Sequence, residues 1–219
     1  MNHAEAYQRS YDRIRSLVDE QSADIEVPTC PGWTVKDLIA HQADFFDASK
    51  SGDPKEAFSD GWGDRGVKKH SEHSLQQCLD EVAGHLKDPG DIFEGQLAGV
   101  AVSDILAHEQ DIRNALDKPG ARDDENIVPS VEMALMFIEQ KAKSEGLPAF
   151  KVVTEDIDRQ IGEGEPQATL KTSTFDLFRA VQGRRTVDQV KAMDWEGDPD
   201  PWMKVFFIFG PTERQVEAA

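Results

Sequence analysis

The sequence predicts an α+β fold, in which a helical bundle is followed by a small α/β unit. Segments with apolar residues at helical spacing run from the N-terminus to about residue 146, and turn residues separate them. Beyond Gly146 and Pro148 the spacing changes, and short runs rich in β-branched residues replace the helical pattern. Because 219 residues suffice for two cores, we predict a helical domain over residues 1–146 and an α/β domain over residues 147–219.

The helical part divides into five predicted helices. In the first, apolar side chains recur every three or four positions between Ala6 and Val18. Thr34 marks the start of the second, because its hydroxyl can cap the helix while Asp37, three residues on, completes a shortened capping box. The first four helices, separated by turns, are typical of a bundle, whose sites form from side chains on facing helices. The predicted helices span residues 3–18, 35–49, 74–86, 96–116 and 129–144.

The segment between the second and third helices, residues 51–71, is rich in glycine and charged residues. It predicts a long polar loop, with a short helical turn around residues 55–58. The C-terminal part has the alternation of strands and helices expected of a small α/β unit. Its predicted elements are strands at residues 150–154 and 168–172 around a turn at 162–166, then helices at 175–181 and 186–191.

The composition excludes several classes of protein. A net charge of -18 and a pI near 4.6 argue against nucleic-acid binding, because a polyanion would be repelled. No apolar run approaches the roughly 20 residues that cross a bilayer, and the N-terminus lacks the pattern of a signal peptide, so we expect no membrane association and a cytoplasmic location. The two cysteines are too few for a disulfide framework, and Cys30 lies in a proline-rich turn typical of a structural residue.

A possible metal site is the most informative feature of the chain. Asp104 and His108 are four residues apart in the fourth predicted helix, so both can reach one ion from the same face. His41 is the best candidate for a third ligand, because it lies near the apolar face of the second helix. Two nitrogens and a carboxylate suit zinc, nickel or iron(II), and three protein ligands leave a position open for water or substrate.

Two alternatives to this ligand set stay open on the sequence. Asp111 follows His108 by three residues on a similar face and is a rival ligand, although it could equally pair with Arg113 or support a ligand from outside. Asp104 and His108 could also simply hydrogen-bond each other, since a histidine on an amphipathic helix is commonly structural.

Several spans of the sequence resemble the mycothiol-dependent maleylpyruvate isomerase family. The order and spacing of these blocks agree with the family over most of the chain. The resemblance implies a DinB-like four-helix bundle that holds a divalent metal, usually zinc, followed by a small α/β domain similar to a sterol carrier fold. The blocks are residues 27–41, 104–113, 175–185 and 195–199.

The resemblance also implies a site and a chemistry. The family's two metal histidines fall on His41 and His108, and its acidic ligand, which is glutamate in some relatives, falls on Asp104. Mycothiol or another low-molecular-weight thiol is then the expected second cofactor, because metal coordination lowers the pKa of a thiol. The implied activities are isomerisation of maleylpyruvate-like compounds and thiol transfer to a small electrophile. A non-catalytic DinB-like metal-binding protein with a stress or regulatory role is the alternative.

A dicarboxylate substrate would need a cation in so acidic a chain. Arg113, Arg184 and Arg185 are the candidate catalytic residues, because a guanidinium can hold a carboxylate through two parallel hydrogen bonds. Each also has a structural alternative: Arg113 could pair with Glu109 or Asp117, and the turn that begins at Gly183 could instead fix the α/β domain. The sequence leaves the oligomeric state open.

Overall fold

The structure is a computed structural model that describes residues 2–50 and 61–214. Contacts divide the chain into two compact units, one that ends at Gly120 and one that begins at Ala121. Each unit has a buried apolar core of its own. Within the described ranges, none of the helices combines the length and apolar character needed to cross a membrane.

The first unit is a helical bundle. Helix α1 packs along α5 and helix α2 along α4, while further contacts join α2 to α5 and α1 to α4. These four helices agree in position with the first four predicted ones, so the predicted four-helix bundle is confirmed. The helices of this unit are α1 (His3–Leu17), α2 (Val35–Lys50), α3 (Trp62–Lys69), α4 (Leu75–Lys87) and α5 (Gly95–Ala115).

The start of α2 is fixed by the predicted capping box. The Thr34 hydroxyl accepts a hydrogen bond from the Asp37 backbone N–H at 3.3 Å, and the Asp37 carboxylate accepts one from the Thr34 backbone N–H at 2.9 Å. Each side chain therefore satisfies a backbone donor that the helix start would leave unpaired. This local arrangement sets the register of α2 and with it the position of His41.

Helix α3 corrects the prediction of a polar loop over residues 51–71. Residues 62–69 are helical, although Gly63 and Gly66 lower the intrinsic propensity of the segment. The glycines allow close packing against α2 and the turn before it: a Cβ at Gly63 would lie 2.7 Å from the Trp33 ring, and one at Gly66 would lie 2.8 Å from the Asp44 side chain. Packing thus outweighs propensity here. The predicted turn at residues 55–58 lies outside the described residues.

The second unit combines helices with a small sheet. Four strands occur in the spatial order β2-β1-β3-β4, with β1 and β3 parallel and the outer pairs antiparallel. Together with the helical bundle, this sheet confirms the predicted α+β fold class. The elements are α6 (Ile127–Ser144), β1 (Phe150–Val153), β2 (Asp158–Ile161), β3 (Thr169–Lys171), α7 (Thr174–Val181), α8 (Val187–Lys191) and β4 (Asp194–Glu196).

Strands β2 and β4 were absent from the sequence prediction. Both lie at edges of the sheet, where polar residues are common because one side of the strand lacks a partner. In β2 only Ile161 is buried, and in β4 Trp195 is the only apolar residue. The alternating apolar pattern that marks a strand is therefore too short to recognise in either segment.

The predicted domain boundary after residue 146 differs from the division of the structure by one helix. Helix α6 packs mainly against α7 and β2 of the second unit. Arg159 of β2 donates to the carboxylates of Glu132 and Glu139 on α6, at 2.5 and 2.9 Å. The assignment of α6 to the N-terminal domain stays a prediction.

Candidate metal centre

Three side chains from α2 and α5 converge in the first unit. Asp104 and His108 lie one turn apart on α5, and His41 reaches them from α2. The Nε2 atom of His108 lies 3.4 Å from one Asp104 carboxylate oxygen, and the Nε2 atom of His41 lies 3.6 Å from the other. The two imidazole rings meet edge to face at 5.2 Å. The tertiary fold thus brings together three residues that the sequence places 63 and 4 positions apart.

The electrostatics of this group favour opposite charges on Asp104 and His108. Burial alone would raise the pKa of the Asp104 carboxyl, but the charge on His108 and the close approach of both imidazoles hold it well below its ordinary value. Burial alone would lower the pKa of His108, but the charge of Asp104 outweighs it and the pKa is raised well above its ordinary value. The group therefore stabilises positive charge at its centre.

A carboxylate supports His108 from its other side. The Nδ1 atom of His108 lies 3.1 Å from an Asp111 oxygen, and Asp111 is completely buried. Asp111 also accepts hydrogen bonds from the Thr29 hydroxyl at 2.8 Å and from the Cys30 thiol at 3.5 Å. A carboxylate in this position fixes the ring orientation and directs Nε2 toward Asp104 and His41.

Asp104 is held in place by a chain of hydrogen bonds. The Gln42 amide donates to an Asp104 oxygen at 2.6 Å, and the Tyr7 hydroxyl donates to the Gln42 amide oxygen at 2.6 Å. Because Tyr7 lies on α1 and Gln42 on α2, the chain spans three helices to reach Asp104 on α5. Neither Tyr7 nor Gln42 was predicted as part of the site.

Aromatic rings surround His41. The Trp62 ring lies 4.8 Å from the imidazole and the Trp33 ring lies 5.2 Å from it, measured between ring centroids. The Trp33 indole donates to Asp64 of α3 at 3.0 Å, which ties that helix to the wall around His41. The His41 side chain is buried, and its Nδ1 atom makes no hydrogen bond to any residue in the described ranges. These rings limit access of water to the imidazole.

The donor set fits a divalent transition metal. One ligand atom from each of His41, Asp104 and His108 lies within 4.8 Å of the other two. The separations of 3.4 and 3.6 Å are close to the roughly 3.4 Å between ligand atoms of a tetrahedral zinc site, whose bonds are about 2.1 Å long. Three protein ligands would leave one tetrahedral position for a further ligand.

A second grouping of possible ligand atoms shares His108. Cys30, His108 and Asp111 also offer three atoms within 4.8 Å of one another. This group uses the opposite nitrogen of the imidazole, since Asp111 lies against Nδ1 and Asp104 against Nε2. The structure therefore keeps Asp104 and Asp111 on different sides of one ring, a separation that helical spacing could not reveal.

Comparison with known proteins extends this picture. Residues 4–83 match the model of the mycothiol maleylpyruvate isomerase N-terminal domain. The predicted resemblance to that family is thereby confirmed. The matched segment contains His41 and ends before Asp104.

A solved structure of the same family name has a similar fold. The crystal structure of the mycothiol-dependent maleylpyruvate isomerase aligns with 83% of this chain and 87% of its own, at 20% sequence identity and a TM-score of 0.51. A crystal structure of a histidine-to-alanine variant of that isomerase aligns over the same shares at 17% identity and a TM-score of 0.49. Among curated protein sequences, none matches this chain.

Arg113, one of the candidate catalytic residues, is engaged in a structural ion pair. Its guanidinium donates to the Glu109 carboxylate at 2.9 Å and to the Lys118 backbone carbonyl at 3.2 Å. Glu109 is completely buried. This is the structural alternative that the sequence offered for Arg113, and its predicted contact with a substrate carboxylate stays a prediction.

Arg184 and Arg185 lie in the second compact unit and are buried there. Arg184 donates to the Gln182 backbone carbonyl at 2.6 Å. Arg185 donates to the Arg184 carbonyl at 3.0 Å and to the Asp176 carboxylate at 3.2 Å. These bonds hold the turn after α7, and a role of either arginine toward substrate stays a prediction.

The aromatic and amide side chains around the candidate metal centre gave only weak signals in the sequence. Trp62 stands in a segment whose glycine and charge content is typical of a loop, so its place beside His41 depends on α3. Gln42 follows His41 directly and occupies a buried position on a polar stretch of α2, which is the signal that could have identified it.

Proposed function

We propose that this chain is a metal-dependent enzyme that uses a low-molecular-weight thiol, mycothiol, to act on a small electrophile. The reactions it would catalyse are the isomerisation of maleylpyruvate-like compounds or thiol transfer to a related electrophile. The observation that carries the proposal is the convergence of His41, Asp104 and His108 in a bundle whose first 80 or so residues match the family model.

We assign His41, Asp104 and His108 as the metal ligands. Asp111 is the less suitable carboxylate, because its oxygens already accept bonds from Thr29 and Cys30 and face the Nδ1 atom of His108. In that position it supports the ligand imidazole, as carboxylates commonly do beside zinc-bound histidines. Zinc fits the donor set best, although nitrogen and carboxylate ligands also suit nickel and iron(II).

The chain's own residues prepare this site for thiol chemistry. A bound divalent metal would lower the pKa of a coordinated thiol, so that thiolate is present at neutral pH. Asp104 supplies the negative charge that favours a cation, and Gln42 holds its carboxylate in one orientation. Trp33 and Trp62 keep water from one side of His41, which strengthens electrostatic interactions within the site.

The test compares two matched acid-to-amide variants. Asp104→Asn removes a proposed ligand charge, whereas Asp12→Asn makes the same change at an exposed position of α1. We expect Asp104→Asn to lose one zinc equivalent per chain and all mycothiol-dependent turnover of maleylpyruvate, and we expect Asp12→Asn to match the wild type. Metal content by elemental mass spectrometry and circular dichroism should accompany the activity assay.

Two results would contradict the proposal. If Asp104→Asn keeps both its metal and its thiol-dependent turnover, the assigned centre is not the active site. If the wild type binds metal but turns over neither maleylpyruvate nor a panel of electrophiles with mycothiol, the non-catalytic metal-binding alternative is favoured. In either case His41→Ala and His108→Ala would show whether the metal depends on the two imidazoles.

A further inference from the structure

A second group of histidines and a carboxylate occurs where α3 meets α4. His70 caps the C-terminal end of α3, His73 lies in the following turn, and Glu81 lies in the second turn of α4. One possible ligand atom from each of these three residues lies within 4.8 Å of the other two. The group lies in the same compact unit as the His41–Asp104–His108 centre and shares no residue with it.

His70 is buried between two hydrogen-bond acceptors. Its Nδ1 atom lies 2.8 Å from the Gly66 backbone carbonyl, and its Nε2 atom lies 3.2 Å from both oxygens of Glu81. A neutral imidazole carries one N–H, so when Nδ1 donates to the carbonyl, Nε2 presents a lone pair to a carboxylate. Two acceptors at this distance repel each other unless a proton or a metal ion lies between them, so the contact suits either a protonated imidazole or a bound metal. A carbonyl bond at Nδ1 is also the usual support of a metal-bound histidine.

His73 adds a third possible metal-ligand atom beside Glu81. Its Nδ1 atom lies 3.5 Å from a Glu81 oxygen, and the His70 and His73 rings meet edge to face at 5.2 Å. Within residues 2–50 and 61–214, this Nδ1 atom is buried and makes no hydrogen bond. The separations of 3.2 and 3.5 Å again match those of ligand atoms around one zinc ion, which are about 3.4 Å apart.

A neighbouring group is less suited to a cation. Asp47, Glu81 and His85 also offer possible ligand atoms close to one another, but two of these residues already contact a lysine ammonium group. Lys69 pairs with Asp47, and the Lys50 ammonium lies 3.3 Å from the Nδ1 atom of His85. In the described part of the chain, Glu81 forms no ion pair with a lysine or arginine, so its charge faces the two histidines.

We propose that His70, His73 and Glu81 form a second divalent-metal site of the zinc class, separate from the His41–Asp104–His108 centre. Two nitrogens and a carboxylate are again the donor set, and the half-exposed His73 and Glu81 leave room for water as a further ligand. The metal joins the C-terminal end of α3 to α4. At the other end of α3, Trp62 packs on the His41 ring and Gly63 packs on Trp33. A metal bound by His70, His73 and Glu81 therefore holds in place the helix that packs against the first centre.

The test isolates this site by removing the first one. The His41→Ala/His108→Ala double variant lacks both imidazoles of the first centre, so its zinc binding does not depend on the proposed enzymatic function. In that background we compare Glu81→Gln with Glu72→Gln, which makes the same change at an exposed position of the intervening turn. Binding of Zn²⁺ is measured by competition with a chromogenic chelator, and circular dichroism checks the fold.

We expect the double variant to bind one zinc equivalent per chain. Glu81→Gln should weaken this binding by more than the roughly 10–100-fold that loss of a supporting residue costs, whereas Glu72→Gln should leave it unchanged. The full chain with its first centre intact should bind two equivalents, and His73→Ala should reduce this to one. If the double variant does not fold, the zinc stoichiometries of the full chain and of His73→Ala test the proposal instead.

The proposal is overturned by either of two results. A full chain that binds a single equivalent, lost in His108→Ala and unchanged in His73→Ala, would show that only the first centre holds metal. Equal zinc affinity in Glu81→Gln and Glu72→Gln would show that zinc in the double variant lies elsewhere.

Discussion

Helix α5 buries two polar clusters, and neighbouring residues contribute to them. His108 belongs to the centre with His41 and Asp104, while Glu109 forms a cluster with two arginines. Arg13 of α1 reaches both Glu109 oxygens at 2.7 to 3.0 Å. In the Glu109 cluster, guanidinium N–H groups donate hydrogen bonds to both oxygens of the carboxylate. In the His108 centre, by contrast, the imidazole nitrogens and a carboxylate converge on one point.

The difference between the two clusters separates a structural role from the proposed metal-binding role. Both contain buried polar groups and charged side chains, and both link α5 to another helix of the bundle. The Glu109 cluster satisfies its own charges, so breaking it should cost stability. The His108 centre is the proposed metal site, so changes there should act mainly on metal binding. The predictions that follow test this division, beginning with the largest effect.

Glu109→Gln should cause the largest loss of stability. Removing one partner of a buried ion pair costs about 3–5 kcal/mol, because it leaves the other charge uncompensated. We expect a value near the lower end, since Arg13 is partly exposed. Urea unfolding measures the change, and Glu72→Gln is the exposed control. The folded fraction should keep its zinc; selective loss of zinc without loss of stability would contradict the division.

Asp111→Asn should weaken metal binding at the first centre without abolishing it. A residue that supports a ligand histidine typically contributes 10–100-fold in affinity, which corresponds to about 1.4–2.7 kcal/mol. The affinity for Zn²⁺ is measured by chelator competition beside Asp104→Asn, which should lose more. If Asp111→Asn loses all its metal while Asp104→Asn keeps it, then Asp111 is the ligand.

Zinc affinity at the first centre should rise with pH. In the metal-free protein, burial opposes protonation of His108, but the Asp104 charge raises its pKa well above the ordinary value, so zinc must displace a proton. The affinity should then change about tenfold per pH unit below that raised pKa, or about 1.4 kcal/mol. Calorimetry in buffers of different ionisation enthalpy measures the proton released. Release of no proton at neutral pH would contradict the expected state of His108.

The stability of the metal-free protein should depend on pH with opposite signs for His108 and Asp104. A raised pKa in the folded state means that the contribution of His108 is complete below its unfolded value near 6.5. It is lost as the pH rises through the folded-state value. Asp104, whose pKa is lowered, contributes above its unfolded value near 3.8 and loses that contribution in acid. Thermal unfolding with a chelator, from pH 2 upward, tests both signs.

Tyr7→Phe should have the smallest of these effects. It removes the hydroxyl that donates to Gln42 and leaves a buried acceptor without that bond, which costs about 1 kcal/mol of stability. Zinc affinity should fall less than in Asp111→Asn, because Gln42 can still donate to Asp104. A loss of affinity equal to that of Asp111→Asn would place Tyr7 in a more direct role at the metal centre.

The sequence predicted the bundle because its helices carry local signals. The Thr34–Asp37 capping box and the apolar spacing of the long helices appear in neighbouring residues, and both are present in the structure. Helix α3 and the edge strands β2 and β4 lack such signals. Their conformation is decided by packing against α2 and by pairing with the central strands.

By itself, the sequence determined that Asp104 and His108 share a helix face, because a spacing of four residues fixes this locally. The apolar face of the second helix made His41 the best candidate for their partner, and the family resemblance pointed to the same residue. Only the tertiary structure decided that Asp104 and Asp111 face opposite nitrogens of His108, and that Arg113 forms an ion pair with Glu109. Such choices depend on which side chains other helices bring to α5, and contacts between residues distant in the sequence leave no local pattern.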